Sequence, residues 1–286
     1  AIGYDAFKTS ETGQYCTAVG FEALKDNTHS YNTAVGSYCL TKNTSGQFNH
    51  AIGYSCLWSN TTGSNNTAVG DGGLLYNTTA SNNTALGCRP LFTNTTGTSN
   101  TAVGFHALYG NTTGNWNTAI GSDALYTNTT GYNNVAIGQN ASEDSTTANN
   151  NVLIGRDSGK DITTGSQNVS IGTYSFQTAT TPVSTTSVGH GALQDLQTGS
   201  SNTAVGRDAG NKITTGIENT VIGVFAGDAL TTGSNNLILG NDAAASANNV
   251  SNEITLGDTN ITKFRVPGLN FEVQNSTATN DYVLTM

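Results

Sequence analysis

The stretch from Asn100 to Trp116 reads NTAVGFHALYGNTTGNW, and the same phrase begins again at Asn117. A glycine closes each short apolar run, and it recurs sixteen times between Gly3 and Gly257. Fourteen of the fifteen intervals are 17 residues long, and the one from Gly20 to Gly36 is 16. A fixed period this short is typical of a solenoid, in which each repeat forms one coil that packs on its neighbours.

The repeat is numbered here from its asparagine, so that NTAVG occupies positions 1 to 5 and TTG occupies positions 13 to 15. Position 4 is always Val, Ile or Leu, which predicts a strand residue facing the inside of the coil. Since side chains alternate along a strand, position 3 should face outward. Position 3 is Ala in most coils, so we expect an outward stripe of small side chains that another copy of the chain covers. This interface stripe comprises Ala18, Ala34, Ala51, Ala68, Ala85, Ala102, Ala119 and Ala136.

Two further patterns describe the inside of the coil. Position 5 is Gly in every coil, which predicts a corner that needs positive φ or a very close backbone approach. Position 9 is large where position 12 is Asn, as in Leu108 and Asn111, whereas Gly159 at position 9 is followed by Ile162 at position 12. A close-packed interior must stay filled, so both positions are expected to form core wall. The exchange divides the rod near residue 140.

The sequence therefore predicts an all-β parallel β-solenoid, a β-roll or β-helix, of about sixteen 17-residue coils over residues 1–257. Residues 258–286 break the period and are interpreted as a β-structured adaptor or the start of a further module. The chain begins inside a coil without an initiator Met, so we expect it to be a segment of something longer. Each coil buries few large side chains, which favours oligomerisation.

Composition excludes several classes of function. Only 10% of residues are charged, the net charge is −9, and Arg89 is the sole basic residue between Lys42 and Arg156. Nucleic-acid binding through phosphate contacts is therefore not expected. No run of about 18 apolar residues occurs, so no membrane span is expected either.

Residues suited to catalysis or metal binding are scattered. The four histidines, His29, His50, His106 and His190, fall at different repeat positions in separated coils, and the position 7 aspartates never occupy successive coils. We expect no catalytic residue, no metal site and no cofactor. Cys39 and Cys56 occupy the same position of adjacent coils, which leaves open either a disulfide or two small buried side chains.

Aromatic residues recur in columns. Position 10 and position 17 each form a ladder over successive coils, which comprises Trp58, Leu75, Phe92, Tyr109 and Tyr126 at position 10 and Tyr15, Tyr31 and Phe48 at position 17. Stacked rings could bind glycans, or they could pack between subunits or reinforce the stack. The Asn-Thr-Thr sequons coincide with the repeat's own turn, so turn chemistry explains them without glycosylation.

The phrase N-T-A-[VI]-G, as in Asn66–Gly70 and Asn117–Gly121, followed by A-L and N-T-T-G-S-N, resembles the repeats of long bacteriophage tail-fibre proteins and related adhesin-like surface fibres. It is also similar to the shorter N-S-V-A-I-G repeats of trimeric autotransporter adhesin heads, which implies a left-handed parallel β-roll assembled as a trimer. The resemblance covers residues 1–257. The closing NEITLGDTNITKFRV resembles the passage that precedes an endosialidase-type chaperone domain in phage fibres, but the self-cleaving chemistry of that domain is not carried over.

This resemblance implies a homotrimeric fibre shaft, extracellular or on a virion surface, that presents a receptor-binding tip and serves attachment to a host. The implied partners are the chain itself, host cell-surface glycans or a receptor, and other fibre or baseplate proteins. The alternative is a bacterial cell-surface adhesin or extracellular filament that binds glycans through its aromatic ladders. Ice binding would need flat T-x-T arrays, whereas the strand here offers T-A-V.

Overall fold

The computed structural model describes residues 1–10 and 12–263, which coil into a parallel β-solenoid. One strand per coil joins a single sheet whose fifteen strands follow chain order. The strands are β1 Thr17–Val19, β2 Thr33–Val35, β3 His50–Tyr54, β4 Thr67–Asp71, β5 Thr84–Cys88, β6 Thr101–Val103, β7 Thr118–Ile120, β8 Val135–Ile137, β9 Val152–Ile154, β10 Val169–Ile171, β11 Thr186–Val188, β12 Thr203–Val205, β13 Thr220–Ile222, β14 Leu237–Leu239 and β15 Ile254–Leu256.

Successive strands pair in parallel with like positions opposite each other, as Thr101 pairs with Thr118 and Val103 with Ile120. The predicted all-β parallel solenoid with a 17-residue coil is therefore confirmed, and the fifteen strands delimit fourteen complete coils. An isolated bridge between Ile2 and Val19 extends the same pairing into the first, incomplete coil. At the usual strand spacing the sheet is about 67 Å long. Of the predicted adaptor at 258–286, residues 264–286 lie outside the described residues.

The face of the strand that points into the coil is opposite to the one that the sequence suggested. The alanines of position 3 are buried: Ala18 is 2% exposed and Ala34, Ala51, Ala68, Ala85, Ala102, Ala119 and Ala136 are 0% exposed. Position 4 points outward instead, with Ile120 38% exposed. The prediction that the alanine stripe is an outer subunit interface, and that position 4 fills the coil, was therefore wrong.

The physical reason is the small space inside the coil. Leu108 at position 9 and Ala107 at position 8 are fully buried across from the strand. A methyl group added at Gly73, another position 8 residue, would touch the Cβ atoms of Ala68 and Ala85 at 3.5 Å. Position 8 therefore packs directly on position 3, and the interior holds only a methyl group from the strand.

The exchange between positions 9 and 12 is confirmed. Leu108 and Asn111 are both buried in one style of coil, and Ile162 is buried in the other. A Cβ built on Gly159 would lie 2.8 Å from Leu153 Cδ2 and 3.2 Å from Ile162 Cδ1, so these side chains occupy the volume that a large residue at position 9 would need. Buried residues accordingly form two apolar clusters, one ending at Ala141 and the other beginning at Ala148.

The invariant glycine of position 5 has both of the properties that the sequence predicted. Gly104 has φ of +139°, in a region that residues with a Cβ rarely adopt. A Cβ on Gly104 would lie 2.5 Å from the carbonyl oxygen of Gly121 in the next coil. The column of glycines therefore allows successive corners to stack at strand spacing.

Two ladders of buried asparagines run along the rod. At position 12, Asn111 Nδ2 donates to Asn94 Oδ1 at 2.7 Å and to the carbonyl of Gly114 at 3.0 Å. At position 1, the backbone N–H and the Nδ2 group of Asn117 both donate to Asn100 Oδ1, at 2.9 and 3.2 Å. Each amide thus bonds along the rod and closes its own turn, which satisfies polar groups that would otherwise be costly to bury.

The position 12 ladder ends at Asn128, because the next coil carries Ser145 there. Both side chains are completely buried. Asn128 Oδ1 accepts no hydrogen bond from any described residue, and Ser145 Oγ is likewise without a partner among them. The junction between the two core styles is therefore a local weak point.

We predict that Ser145→Asn raises the free energy of unfolding by about 0.5–1.5 kcal/mol, because a new amide donates to Asn128 Oδ1 and adds a rung to the ladder. Chemical denaturation monitored by circular dichroism measures the change. The matched control Ser145→Ala removes the unpaired hydroxyl but leaves Asn128 Oδ1 without a donor, so it should gain less than Ser145→Asn. Equal stabilities of Ser145→Asn and Ser145→Ala would contradict the assignment.

Candidate interaction surfaces

The outer face of the sheet is apolar along the whole rod. Every strand presents its position 4 side chain outward, half-buried or exposed: Val19, Val35, Ile52, Val69, Leu86, Val103, Ile120, Ile137, Ile154, Ile171, Val188, Val205, Ile222, Leu239 and Leu256. Position 2, mostly Thr, lies beside it on the same face. We call positions 2 and 4 together the outer sheet face. A contiguous apolar column of this length is unusual on a solvent-exposed surface and is typical of an interaction site.

Aromatic columns flank the outer sheet face at its N-terminal end. On the position 17 side, the ring centroids of Tyr15 and Tyr31 are 5.3 Å apart and those of Tyr31 and Phe48 are 4.9 Å apart, with nearly parallel planes. The predicted position 17 ladder therefore forms as stacked rings. Tyr15 is 77% exposed, which leaves the column open to a partner.

A second column on the opposite flank was missed in the sequence. Tyr4 stacks on Phe21 at 5.3 Å, and the rings continue through Tyr38 to Tyr54 with centroid separations of 5.2 and 6.0 Å. Three of the four rings occupy position 6, directly after the corner glycine, and this recurrence was the available signal. Tyr38 is displaced by one position, in the coil that follows the 16-residue interval, yet its ring stays in the column.

The position 10 ladder also forms, on another side of the coil. Phe92 stacks on Tyr109 at 5.1 Å and Tyr109 on Tyr126 at 5.2 Å, all three half-buried. The Nζ of Lys42 lies 3.6 Å from the ring centroid of Trp58. Leu75 occupies the intervening rung between Trp58 and Phe92. Because the three stacked rings cover one another's faces, they present mainly their edges to solvent.

Cations and histidines line this column. The guanidinium of Arg89 lies 5.7 Å from the centroid of Phe92, and the imidazole centroid of His106 lies 4.9 Å from that of Tyr109 and 5.7 Å from that of Tyr126. His106 Nδ1 is also 3.5 Å from an Asp123 carboxylate oxygen. The position 10 column therefore combines aromatic edges with polar and cationic groups, a composition found in carbohydrate-binding and protein-binding surfaces alike.

The other ion pairs are small and lie apart from one another, and the largest joins Asp208 to both His190 and Arg207. His190 Nδ1 lies 3.8 Å from Asp208, and Lys8 pairs with Asp5 at 3.0 Å. His29 contacts the carbonyl of Thr44. Within residues 1–10 and 12–263, no group of three or more His, Cys, Asp or Glu side chains is placed to hold a metal ion.

The four cysteines are free, and the two at position 8 are buried side by side. The Sγ atoms of Cys39 and Cys56 lie 3.3 and 3.4 Å from the carbonyls of Gly53 and Gly70. Hydrogen bonding to the Cys39 thiol, together with burial, raises the pKa of the Cys56 thiol. The thiols occupy a position that is Ala in many other coils, which corresponds to the small buried side chains that the sequence left open.

The asparagines of the sequons belong to the buried ladder. All six, Asn43, Asn60, Asn77, Asn94, Asn111 and Asn128, are 0% exposed. Their Nδ2 atoms donate hydrogen bonds within the core, as that of Asn60 does to Asn43 Oδ1 at 2.7 Å. A glycan on these nitrogens is incompatible with the folded coil.

Among the described residues no helix has the length and apolarity needed to cross a bilayer. No protein-family model matches the chain, and the search of curated proteins found no relative. The interaction surfaces therefore have to be interpreted from their own geometry.

We predict that Ellman's reagent reacts with the half-buried Cys16 and Cys88 in the native protein, whereas Cys39 and Cys56 react only after denaturation, because their thiols are fully buried. The control Cys39→Ala should leave the native reaction unchanged and lower the denatured total by one thiol. A rapid native reaction of Cys39 or Cys56 would contradict their burial. A pair that stays unreactive in non-reducing denaturant would indicate a disulfide.

Proposed function

We propose that this chain forms the shaft of a homotrimeric fibre, a bacteriophage tail fibre or a similar extracellular appendage, which serves attachment to a host or surface. The observation that carries the proposal is the outer sheet face, an apolar column on all fifteen strands. The rod supplies length and a regular lateral surface, and both are the properties that a fibre shaft needs.

The direction of the column argues for association along the full length of the rod. A partner that covers one coil leaves the others exposed, whereas copies aligned side by side cover every coil at once. Closed assemblies of identical chains follow cyclic symmetry, and an axis parallel to the rods brings each position 4 residue opposite its own copies. Ile120, for example, then meets the Ile120 side chains of its partners. The number three comes from the resemblance to trimeric adhesin heads and phage fibres.

The energies are compatible with this arrangement. Burying the exposed half of a Val, Ile or Leu side chain contributes on the order of 1 kcal/mol. Fifteen such side chains per copy are comparable with, or exceed, the roughly 4–15 kcal/mol that association costs in lost freedom. The outer sheet face is therefore sufficient to hold copies together without a large globular interface.

We predict that the protein is a trimer in solution and that replacing Val103, Ile120 and Ile137 together by Gln shifts it toward monomers, because three successive rungs lose their apolar contacts. Sedimentation equilibrium or light scattering measures the mass. The matched control replaces Thr96, Thr113 and Thr130 by Gln, since these residues occupy the same region of the rod at exposed turn positions. This control should stay trimeric.

A wild-type protein that remains monomeric at micromolar concentration would overturn the proposed assembly. Loss of the trimer in both triple variants would show instead that the effect is not specific to the outer sheet face. Circular dichroism on each variant separates dissociation from unfolding.

A second candidate function is glycan binding through the position 10 column, in an adhesin. The supporting observation is that Phe92, Tyr109 and Tyr126 form a half-exposed stack beside Arg89 and His106. Since the stacked faces are occupied, a sugar would pack on the ring edges or on a ring at a column end, and would bond to the neighbouring polar groups.

We predict, for this candidate, that replacing Trp58, Phe92 and Tyr109 together by Ala abolishes binding on a glycan array while the oligomeric mass is unchanged. The matched control is the variant with Thr96, Thr113 and Thr130 replaced by Gln at exposed turn positions, and it should retain glycan binding. Absence of glycan binding by the wild-type protein would reject the adhesin. Dissociation of the position 10 variant would place that column in the subunit interface.

A further inference from the structure

We propose that neighbouring subunits are held in register by the two columns that flank the outer sheet face, with the position 17 side chains of one copy packed edge-on against the position 6 column of the next and interleaved with it in height. This inference rests on the proposed oligomeric fibre and names the contacts that align its copies. The partner is a second copy of this chain, and the contact surface is distinct from the apolar column at the assembly axis.

The two flanks lie on opposite sides of the outer sheet face. Position 17 precedes each strand and position 6 follows it, as Ser99 and Phe105 do on either side of β6. Six residues of extended chain separate them by about 20 Å, so the two columns of one copy cannot touch each other across the outer sheet face. In a cyclic assembly whose axis is parallel to the rods, one flank of each copy faces the opposite flank of its neighbour.

The side chains of the two flanks differ in height along the rod. The chain rises by one strand spacing, about 4.8 Å, in each 17-residue coil. Position 17 follows one position 6 residue by 11 residues and precedes the next by 6. Its side chain therefore lies between two successive position 6 side chains in height. Copies related by rotation keep their heights, so each position 17 side chain faces the gap between two position 6 side chains of its neighbour.

The position 6 and position 17 columns also match in their chemistry. The N-terminal coils place four rings on the position 6 flank and three on the position 17 flank. In order of height the rings alternate between the flanks as Tyr4, Tyr15, Phe21, Tyr31, Tyr38, Phe48 and Tyr54. The three rings of the position 17 column thus meet the edges of the four-ring column of the next copy at the three junctions between its rings.

The match recurs where isolated large residues appear farther along the rod. Trp116 is the only aromatic residue at position 17 beyond Phe48, and the position 6 residue below it is Phe105. Trp116 is 60% exposed and Phe105 is 49% exposed, so each keeps about half of its surface free for a partner. A pair of large exposed aromatic residues is a favourable contact when each belongs to a different subunit.

Charge shows the same correspondence. Glu218 is the only charged residue at position 17, and the position 6 residue below it is Arg207. Glu218 is exposed, while Arg207 lies 3.7 Å from Asp208 and stacks over Phe225. Between copies, the two charges provide an ion pair that disfavours a slip by one or two coils, since the position 6 residues in those coils on the Arg156 side are His190 and Thr173.

Cys88 provides a direct test, because it is a native position 6 residue between the heights of Asn82 and Ser99. We expect Ser99→Cys and Asn82→Cys, each introduced singly, to form a disulfide with Cys88 of the partner subunit under mild oxidation. Non-reducing gel electrophoresis should then show a covalent trimer. The corresponding bond within one chain is excluded by the separation of about 20 Å across the outer sheet face.

Three controls define the outcome. Cys88→Ser combined with Ser99→Cys should abolish the covalent species. Asn133→Cys, which lies three coils above Asn82, and Thr96→Cys, on a turn away from the flanks, should not form it. An oligomer of unchanged mass that shows no cross-link from Ser99→Cys or Asn82→Cys would overturn the interleaved columns while leaving the fibre intact. A monomeric wild-type mass would overturn the proposed function itself. Covalent dimers that persist without trimers after complete oxidation would support the columns but reject three-fold symmetry.

The dissociation temperature of charge variants tests the same contact without relying on disulfide formation. Glu218→Gln and Arg207→Gln should each lower the dissociation temperature of the oligomer, and the double variant should fall by less than the sum of the two single changes. Strictly additive decreases would count against pairing of these columns.

Discussion

The parallel hydrogen bonds between successive coils are the constraint on which this structure depends. They place like repeat positions above one another at strand spacing, so each position becomes a column of contacts rather than a single site. A residue at position 5 must tolerate the carbonyl of the next coil, which leaves Gly104 no room for a Cβ. A buried amide at position 12 must bond to its counterpart, as Asn111 bonds to Asn94. The residue type at each repeat position is therefore restricted by its contacts with the same position in the neighbouring coils.

Features shared by a whole column were predictable from one sequence, because the same position can be compared across all repeats. The 17-residue period predicted the coil, and the invariant glycine predicted its corner. The exchange between Leu108 with Asn111 and Gly159 with Ile162 identified opposite walls of one cavity without coordinates. These inferences needed only constant volume and strand spacing. Aromatic recurrence likewise predicted the position 10 and position 17 stacks.

Which face of the strand points into the coil could not be deduced in the same way. Alternation assigns positions 3 and 4 to opposite faces but does not say which face is inside. The larger side chain was assigned to the core by analogy with globular strands. What decides the matter is the depth of the coil, because Ala107 and Leu108 already fill the space opposite Ala102. That depth is a property of the closed turn, which the strand alone does not reveal.

The outward orientation of the larger side chain, at position 4, also explains why the chain suits assembly. A solenoid that keeps alanine inside and Val, Ile or Leu outside has a thin core of its own and an apolar face on every coil. A larger residue at position 3 requires a smaller residue opposite, as Leu153 requires Gly159. Placing the larger strand side chain inside would therefore add little apolar volume to the core of a single rod. The same columns that stack the coils then continue on the surface, with the apolar column at the centre of the outer sheet face and aromatic and charged columns at its flanks. Stability of the stack and recognition between copies are in this way two consequences of one register.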